Sequence, residues 1–159
     1  MDAFMQALNK MLTTTYRSIC KVEELMLRKL SNNTLSMSEM HMLESIGNHG
    51  SEGAMVTEIA QNLEITPPSA TAMIKRLEKK GYIHKDRSSE DARRVRVQLT
   101  REGFRAEIAH RYFHRKMVRA ITEGLTVEER TAMYSGLEKL NAHIRRQLED
   151  CNAGKEVKP

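Results

Sequence analysis

Apolar residues recur along this chain at two periods, and between Thr66 and Thr100 one gives way to the other. Thr66 can cap a helix with its side-chain oxygen, and Pro67 suits a first turn. Ala70, Met73, Ile74 and Leu77 then share one face at helical spacing. Gly81 stands where a helix closes through a left-handed residue. Tyr82 and Ile83 enter a strand, Ser88-Ser89-Glu90-Asp91 makes a turn, and Val95, Val97 and Leu99 alternate on the way back. The pattern predicts a helix followed at once by a β-hairpin.

The flanking segments are helical throughout. Residues 2–30 read as one long helix, with Phe4, Leu8, Leu12, Ile19, Met26 and Leu30 near helical spacing and no Gly or Pro between them. Residues 31–34 form a turn. Ser36 and Glu39 have capping-box spacing and open a second helix, whose face is Met37, Met40, Leu43 and Ile46 with His41 and Met42 beside it. A glycine-containing loop runs from Gly47 to Gly53. Residues 55–63 form a short helix with Ile59, Ala60 and Leu63 inward, and three residues, Glu64, Ile65 and Thr66, lead into the next. Helix, short turn, helix is the helix-turn-helix spacing, and small Ala60 permits the close crossing. Thr100 starts another long helix, with Phe104, Ile108, Tyr112, Met117 and Ile121 as its apolar positions, and Gly124 ends it. Thr126 and Glu129 repeat the capping box. Met133, Leu137, Leu140, Ile144 and Leu148 then form a narrow seam like that of a helix pairing with another helix.

The predicted fold is mainly α with a small β-hairpin wing: a winged helix-turn-helix over residues 35–100, a helical dimerisation region from 1–34 and 101–151, and a disordered tail over 152–159. A helix as long as the first cannot bury itself against so small a domain, so it packs partly against a second copy. Intrachain packing is the other reading of both seams.

Charge sharpens this picture. From Lys75 to Arg105 there are eleven Lys and Arg against five Asp and Glu, a local net of +6, while the whole chain carries only +5. The positive charge therefore sits on the element that would read a groove. Composition excludes other classes. No apolar run approaches the ~18–20 residues of a membrane helix, and no secretory leader is visible. Two cysteines, far apart and in no motif, fit a reducing compartment, so a cytoplasmic protein is expected. No phosphate-cradling loop, nucleophile elbow or carboxylate pair points to an enzyme.

With Ala70, Met73, Ile74 and Leu77 facing the core, the opposite face of the recognition helix presents Pro68, Ser69, Thr71, Ala72, Lys75 and Arg76 to double-stranded DNA. Ser69 and Thr71 suit hydrogen bonds to bases or phosphates, while Lys75, Arg76 and Lys79 hold phosphate. At the wing tip Arg93 or Arg94 suits a narrow minor groove.

These residues carry a family resemblance. Residues 91–100, Asp-Ala-Arg-Arg-Val-Arg-Val-Gln-Leu-Thr, followed by Gly103, resemble the wing signature of the MarR family of bacterial regulators. Leu77-Glu78-Lys79-Lys80-Gly81-Tyr82-Ile83 and the order of helices are similar to it as well, over about residues 5–148. The resemblance implies a homodimeric transcriptional repressor on a pseudo-palindromic operator, with Asp91 positioning the wing. Ser38-Glu39-Met40-His41, residues 110–118 and Glu123-Gly124 further resemble the FabT branch, which represses fatty-acid biosynthesis genes. That branch implies a long acyl chain, delivered by acidic acyl carrier protein, as co-repressor. Arg105, Arg111, Arg115, Lys116 and Arg119 offer a basic surface for the carrier, and are otherwise a solvated or DNA-facing surface.

Two readings of the effector site stay open. Met26, Met37, Met40, His41, Phe113 and Met117 line an apolar cavity, or the methionines are plain core. Alternatively His110 and His114, one helical turn apart, bind zinc with His41 and Glu24 from neighbouring helices, as in a zinc-responsive MarR-type regulator. A MarR-type regulator of another small apolar ligand is the remaining variant. No cofactor is required by any motif.

Overall fold

The computed structural model describes residues 2–31, 34–86 and 95–152. It contains α1 (Ala3–Ser31), α2 (Met37–Gly47), β1 (Ala54–Met55), α3 (Val56–Asn62), α4 (Pro67–Lys79), β2 (Ile83–Asp86), β3 (Arg96–Leu99), α5 (Arg101–Thr122) and α6 (Val127–Asn152). The chain divides into two compact units, residues 1–113 and 114–159, with the boundary inside α5.

In the first unit, α2 is the centre of the core. Met40, Met42, Leu43 and Ile46 are all fully buried, although the helical pattern puts Met42 beside the inward face. Each such side chain contributes about 1.5–3 kcal/mol on burial. Ile59 and Ala60 from α3, Ala70, Ile74 and Leu77 from α4, and Ile83 and Val97 from the sheet complete it. The α2 capping box forms as predicted: Ser36 Oγ accepts from the Glu39 amide at 3.2 Å, and Glu39 accepts from the Ser36 amide at 2.9 Å.

The sheet is antiparallel in the order β1-β3-β2. β2 pairs Ile83 with Leu99 and Asp86 with Arg96. β1 pairs Ala54 with Val97 and is not foreseen by the pattern, because two residues give no alternation to read. The Arg96 guanidinium donates to the Gly53 carbonyl at 2.8 Å, and Gln98 donates to the Ser51 carbonyl at 2.9 Å, tying the loop before β1 to the wing.

The junctions explain the two most specific sequence motifs. At the end of α4 the Gly81 amide bonds Glu78 and the Tyr82 amide bonds Leu77, each at 3.0 Å. That is a Schellman closure, with Gly81 at φ 79°. At the start of α5, Thr100 Oγ1 accepts from the Gly103 amide at 3.2 Å and donates to the Gly81 carbonyl at 2.7 Å. A Cβ at Gly103 would lie 2.0 Å from the Tyr82 carbonyl oxygen, so the backbones touch only because position 103 has no side chain.

α5 turns an unexpected face inward. Gly103, Ala106, Glu107 and His110 are its buried residues, while Phe104, Ile108, Tyr112 and Ile121 are exposed. Close approach to Tyr82 demands a residue without a side chain at Gly103, which turns the Gly103, Ala106, Glu107 and His110 side inward and the apolar row outward. α1 buries only Leu27 and Ser31. In the second unit Thr126 and Glu129 cap α6 as predicted, and Met133, Leu137, Ile144 and Leu148 on α6 are exposed. Among the described residues, no helix is long and apolar enough to cross a membrane.

Candidate nucleic-acid interface

α4 follows α3 after a three-residue turn in which Glu64 takes φ 52°. Thr66 caps α4 through its hydroxyl, which also pairs with Ser69 Oγ at 2.9 Å. Ala70, Ile74 and Leu77 are buried, and Pro68, Ser69, Thr71, Ala72, Lys75, Arg76 and Lys79 are all exposed on the other side. The hydroxyl of Thr71 donates to the Pro67 carbonyl at 2.9 Å, so its oxygen faces outward as an acceptor. Such an acceptor suits an amino group on a base edge.

The cations on this surface differ in their commitments. Lys75 and Lys79 make no ion pair among the described residues. Arg76 Nε lies 3.7 Å from Glu39, and Lys80 is bound to Glu39 at 2.7 Å. Lys85 on β2 pairs with Glu78 on α4 at 2.5 Å, joining wing and recognition helix. Asp91, Arg93 and Arg94, the predicted wing residues, lie outside the described residues, as does the predicted tail beyond Asn152.

Glu39 and Lys80 are functional candidates that the sequence patterns do not single out. Glu39 is 3% exposed, yet sits beside the exposed recognition helix. Burial by itself would raise its pKa, but hydrogen bonds from Lys80 and the Ser36 amide, with the charge of Lys80, outweigh that and hold it below the usual carboxylate range. The capping-box spacing identifies Glu39 as a cap, but its second set of partners lies 41 residues away.

The residues proposed for effector binding differ in their burial. Met40 is fully buried in the core, Met37 packs against that core, and Met26, Phe113 and Met117 are half-buried. His41 borders an open cleft of about 570 Å³ with Glu44, Ser45, Asn48, Asn62, Leu63 and Glu64. The His41 and His110 rings meet edge-on with centroids 6.0 Å apart. Glu24 is turned toward Lys21 and Arg28, and the adjacent Glu23 instead brings a carboxylate oxygen within 4.8 Å of a His110 nitrogen. His114 follows His110 by one turn of α5. Of the basic residues of α5, Arg105, Arg111 and Arg119 each pair with a carboxylate close in sequence, namely Glu102, Glu107 and Glu123. Arg115 and Lys116 are exposed.

A buried helix-turn-helix core, an exposed basic second helix and an antiparallel wing are the parts of a DNA-binding regulator. Residues 35–95 match the MarR family. The chain is 37% identical over 125 residues to the uncharacterized HTH-type transcriptional regulator YfiV of Bacillus subtilis (strain 168), covering 77% of this chain and 71% of that one. Its fold is similar to that of Streptococcus pneumoniae FabT in complex with DNA. The TM-score is 0.81 at 31% identity, over 89% of this chain and 98% of that chain. The S. aureus MepR–DNA complex shares the fold at a TM-score of 0.64 and 22% identity, over 83% of this chain and 95% of that one. The chain belongs to the MarR family of DNA-binding transcriptional regulators.

Proposed function

We propose that this regulator represses fatty-acid biosynthesis genes, binding a pseudo-palindromic operator as a homodimer with long-chain acyl-acyl carrier protein as co-repressor. The observation that carries this reading is the similarity to FabT in complex with DNA, which spans 89% of the chain. Two recognition helices related by a two-fold axis would meet half-sites about one helical turn apart. The exposed apolar residues of α1 and α6 support dimerisation, because a monomer gains nothing from leaving Phe4, Leu8, Leu12, Leu137, Ile144 and Leu148 in water. Exposed Arg115 and Lys116 on α5 suit an acidic carrier. Met26, Met37, Met40, His41, Phe113 and Met117 remain the proposed acyl-chain residues. Met40 would have to move, since it is fully buried.

The second reading is zinc control. It is favoured by the approach of Glu23 to His110 and by the edge contact of His110 with His41, since imidazole and carboxylate are zinc ligands. One titration separates the two. Operator affinity is measured with no addition, with long-chain acyl carrier protein and with zinc. Tightening with the acylated carrier alone is expected. A response to zinc alone, abolished by His110→Ala, would replace that reading with metal control. An effect of neither would leave a DNA-binding regulator of another small apolar ligand.

A further inference from the structure

Lys80 looks like one more phosphate-binding cation at the end of a basic recognition helix. Its surroundings say otherwise. An ammonium has three donor hydrogens. The Lys80 ammonium has three acceptors at 2.7 Å: the Thr34 carbonyl and both oxygens of Glu39. Glu39 is held in turn by the Ser36 amide at 2.9 Å. Beside this, the Tyr82 hydroxyl meets Thr34 Oγ1 at 2.9 Å. The last turn of α4 and the residue after its closure are therefore fastened to the α1–α2 connection and the first turn of α2. Lys80 is also the C-cap of α4, where a cation is favoured by the helix dipole. In helix-turn-helix proteins the N-terminal residues of the recognition helix meet the bases, so the C-terminal end is free to serve as an anchor.

We propose that Lys80 and Glu39 are a positioning pair that fixes the angle of the recognition helix, with Glu39 occupying the place beside Lys80 that a DNA phosphate would otherwise take. This requires only DNA binding, not any particular effector. It assigns opposite roles to neighbouring lysines: exposed Lys79 is available to phosphate, and Lys80 is not.

The test uses the full chain and a duplex operator fragment, with affinity measured over a series of salt concentrations. Each cation that meets a phosphate contributes about 0.9 to the slope of log affinity against log salt. Lys80→Met lowers affinity by one constant factor at every salt concentration and leaves the slope unchanged. A slope reduced by about 0.9 for each copy on the DNA would make Lys80 a phosphate contact and overturn the proposal. Glu39→Gln provides a test by sign. It removes a negative charge from beside the DNA-binding helix, so charge alone predicts tighter binding. Loss of positioning predicts weaker binding, and tighter binding by Glu39→Gln overturns the proposal. Combining the two substitutions costs no more than the larger single one, because both remove the same link. Far-UV circular dichroism at the assay temperature confirms that each variant is folded. Lys80 is about one-third exposed, and without it Glu39 keeps the Ser36 amide at 2.9 Å and Arg76 Nε at 3.7 Å, so the slope of Lys80→Met remains measurable even where Glu39→Gln unfolds.

Discussion

Gly103→Ala is the substitution for which local and tertiary physics give opposite signs. Gly103 lies inside α5, where helix propensity alone predicts a gain of about 1 kcal/mol for Ala. The structure predicts the reverse. The new Cβ would sit 2.0 Å from the Tyr82 carbonyl oxygen, 3.1 Å from its carbon and 3.4 Å from Leu99 Cδ2. An ordinary carbon–oxygen contact is about 3.3 Å, so something must move by roughly 1.3 Å. Neither side yields easily. The Tyr82 carbonyl accepts from the Thr100 amide at 3.0 Å, and the Tyr82 amide is half of the α4 closure. On the other side, the Gly103 amide is held by Thr100 Oγ1. Overpacking costs about 1–3 kcal/mol and sometimes more. A 2.0 Å contact between two hydrogen-bonded backbones puts this site at or above the top of that range, about 3–4 kcal/mol, so a net loss of about 2–3 kcal/mol is expected after the propensity gain. For a chain of this size that lowers the melting temperature by roughly 4–12 °C. The measurement is urea or thermal unfolding at one fixed protein concentration, since association would shift the midpoint. Stability unchanged within about 0.5 kcal/mol, or raised, would refute the packing argument and leave propensity as the controlling effect.

Gly136→Ala is the matching control. Gly136 lies inside α6 with nothing within 4 Å of the point where a Cβ would stand, so the same substitution should stabilise by about 0.5–1 kcal/mol in the same unfolding assay. The Glu39–Lys80 pair predicts an acid limb. The folded-state pKa of Glu39 is depressed, so its stabilisation is present above the ordinary carboxylate pKa and is lost as pH falls through the folded value. Stability measured from neutral to acid pH should therefore fall less steeply in Glu39→Gln than in the parent, and parallel curves would show that Glu39 titrates alike in both states.

Much of this fold is written in local chemistry. The capping boxes at Ser36 and Thr126, the Thr66 cap and the Gly81 closure each involve residues within five positions of one another, and the structure forms all of them. The exposed face of α4 follows from the same period. What the sequence hides depends on partners far along the chain. Gly103 is legible as a motif residue, but its cause is a carbonyl 21 residues earlier. Glu39 is legible as a cap, but its pairing with Lys80 spans 41 residues. Glu107 and His110 read as parts of a polar helix, yet both are buried, because their helix turns its small and polar side inward. Glu23 rather than Glu24 approaches His110, and spacing alone does not separate them. Adjacent positions on a helix lie about 100° apart and cannot be ranked without knowing which way the helix is rotated.

The distribution of burial also bears on where control can act. The DNA-reading elements are self-sufficient: α2, α3, α4 and the sheet bury their apolar residues against one another. α1 is the opposite case. Its 29 residues extend about 44 Å at ~1.5 Å per residue, but its buried residues, Leu27 and Ser31, both lie in the last turns. Elements with few buried contacts open and shift at the lowest free-energy cost. A ligand moves an equilibrium only by its differential affinity, and reversing a 1:99 population requires about 5.5 kcal/mol. That is comparable to burying two to three large apolar side chains, and in the single chain α1 has Phe4, Leu8, Met11 and Leu12 exposed to offer a partner or an effector. In the proposed homodimer, an effector that alters the packing of this helix can change the separation of two recognition helices without disturbing either core. The Thr34–Lys80 and Thr34–Tyr82 links then determine how faithfully each recognition helix follows the connection after α1. Lys80→Met should accordingly weaken the effector's influence on operator affinity as well as the affinity itself. Operator titrations of the variant with and without effector measure this, and an effector response equal to the parent's would uncouple the link from control.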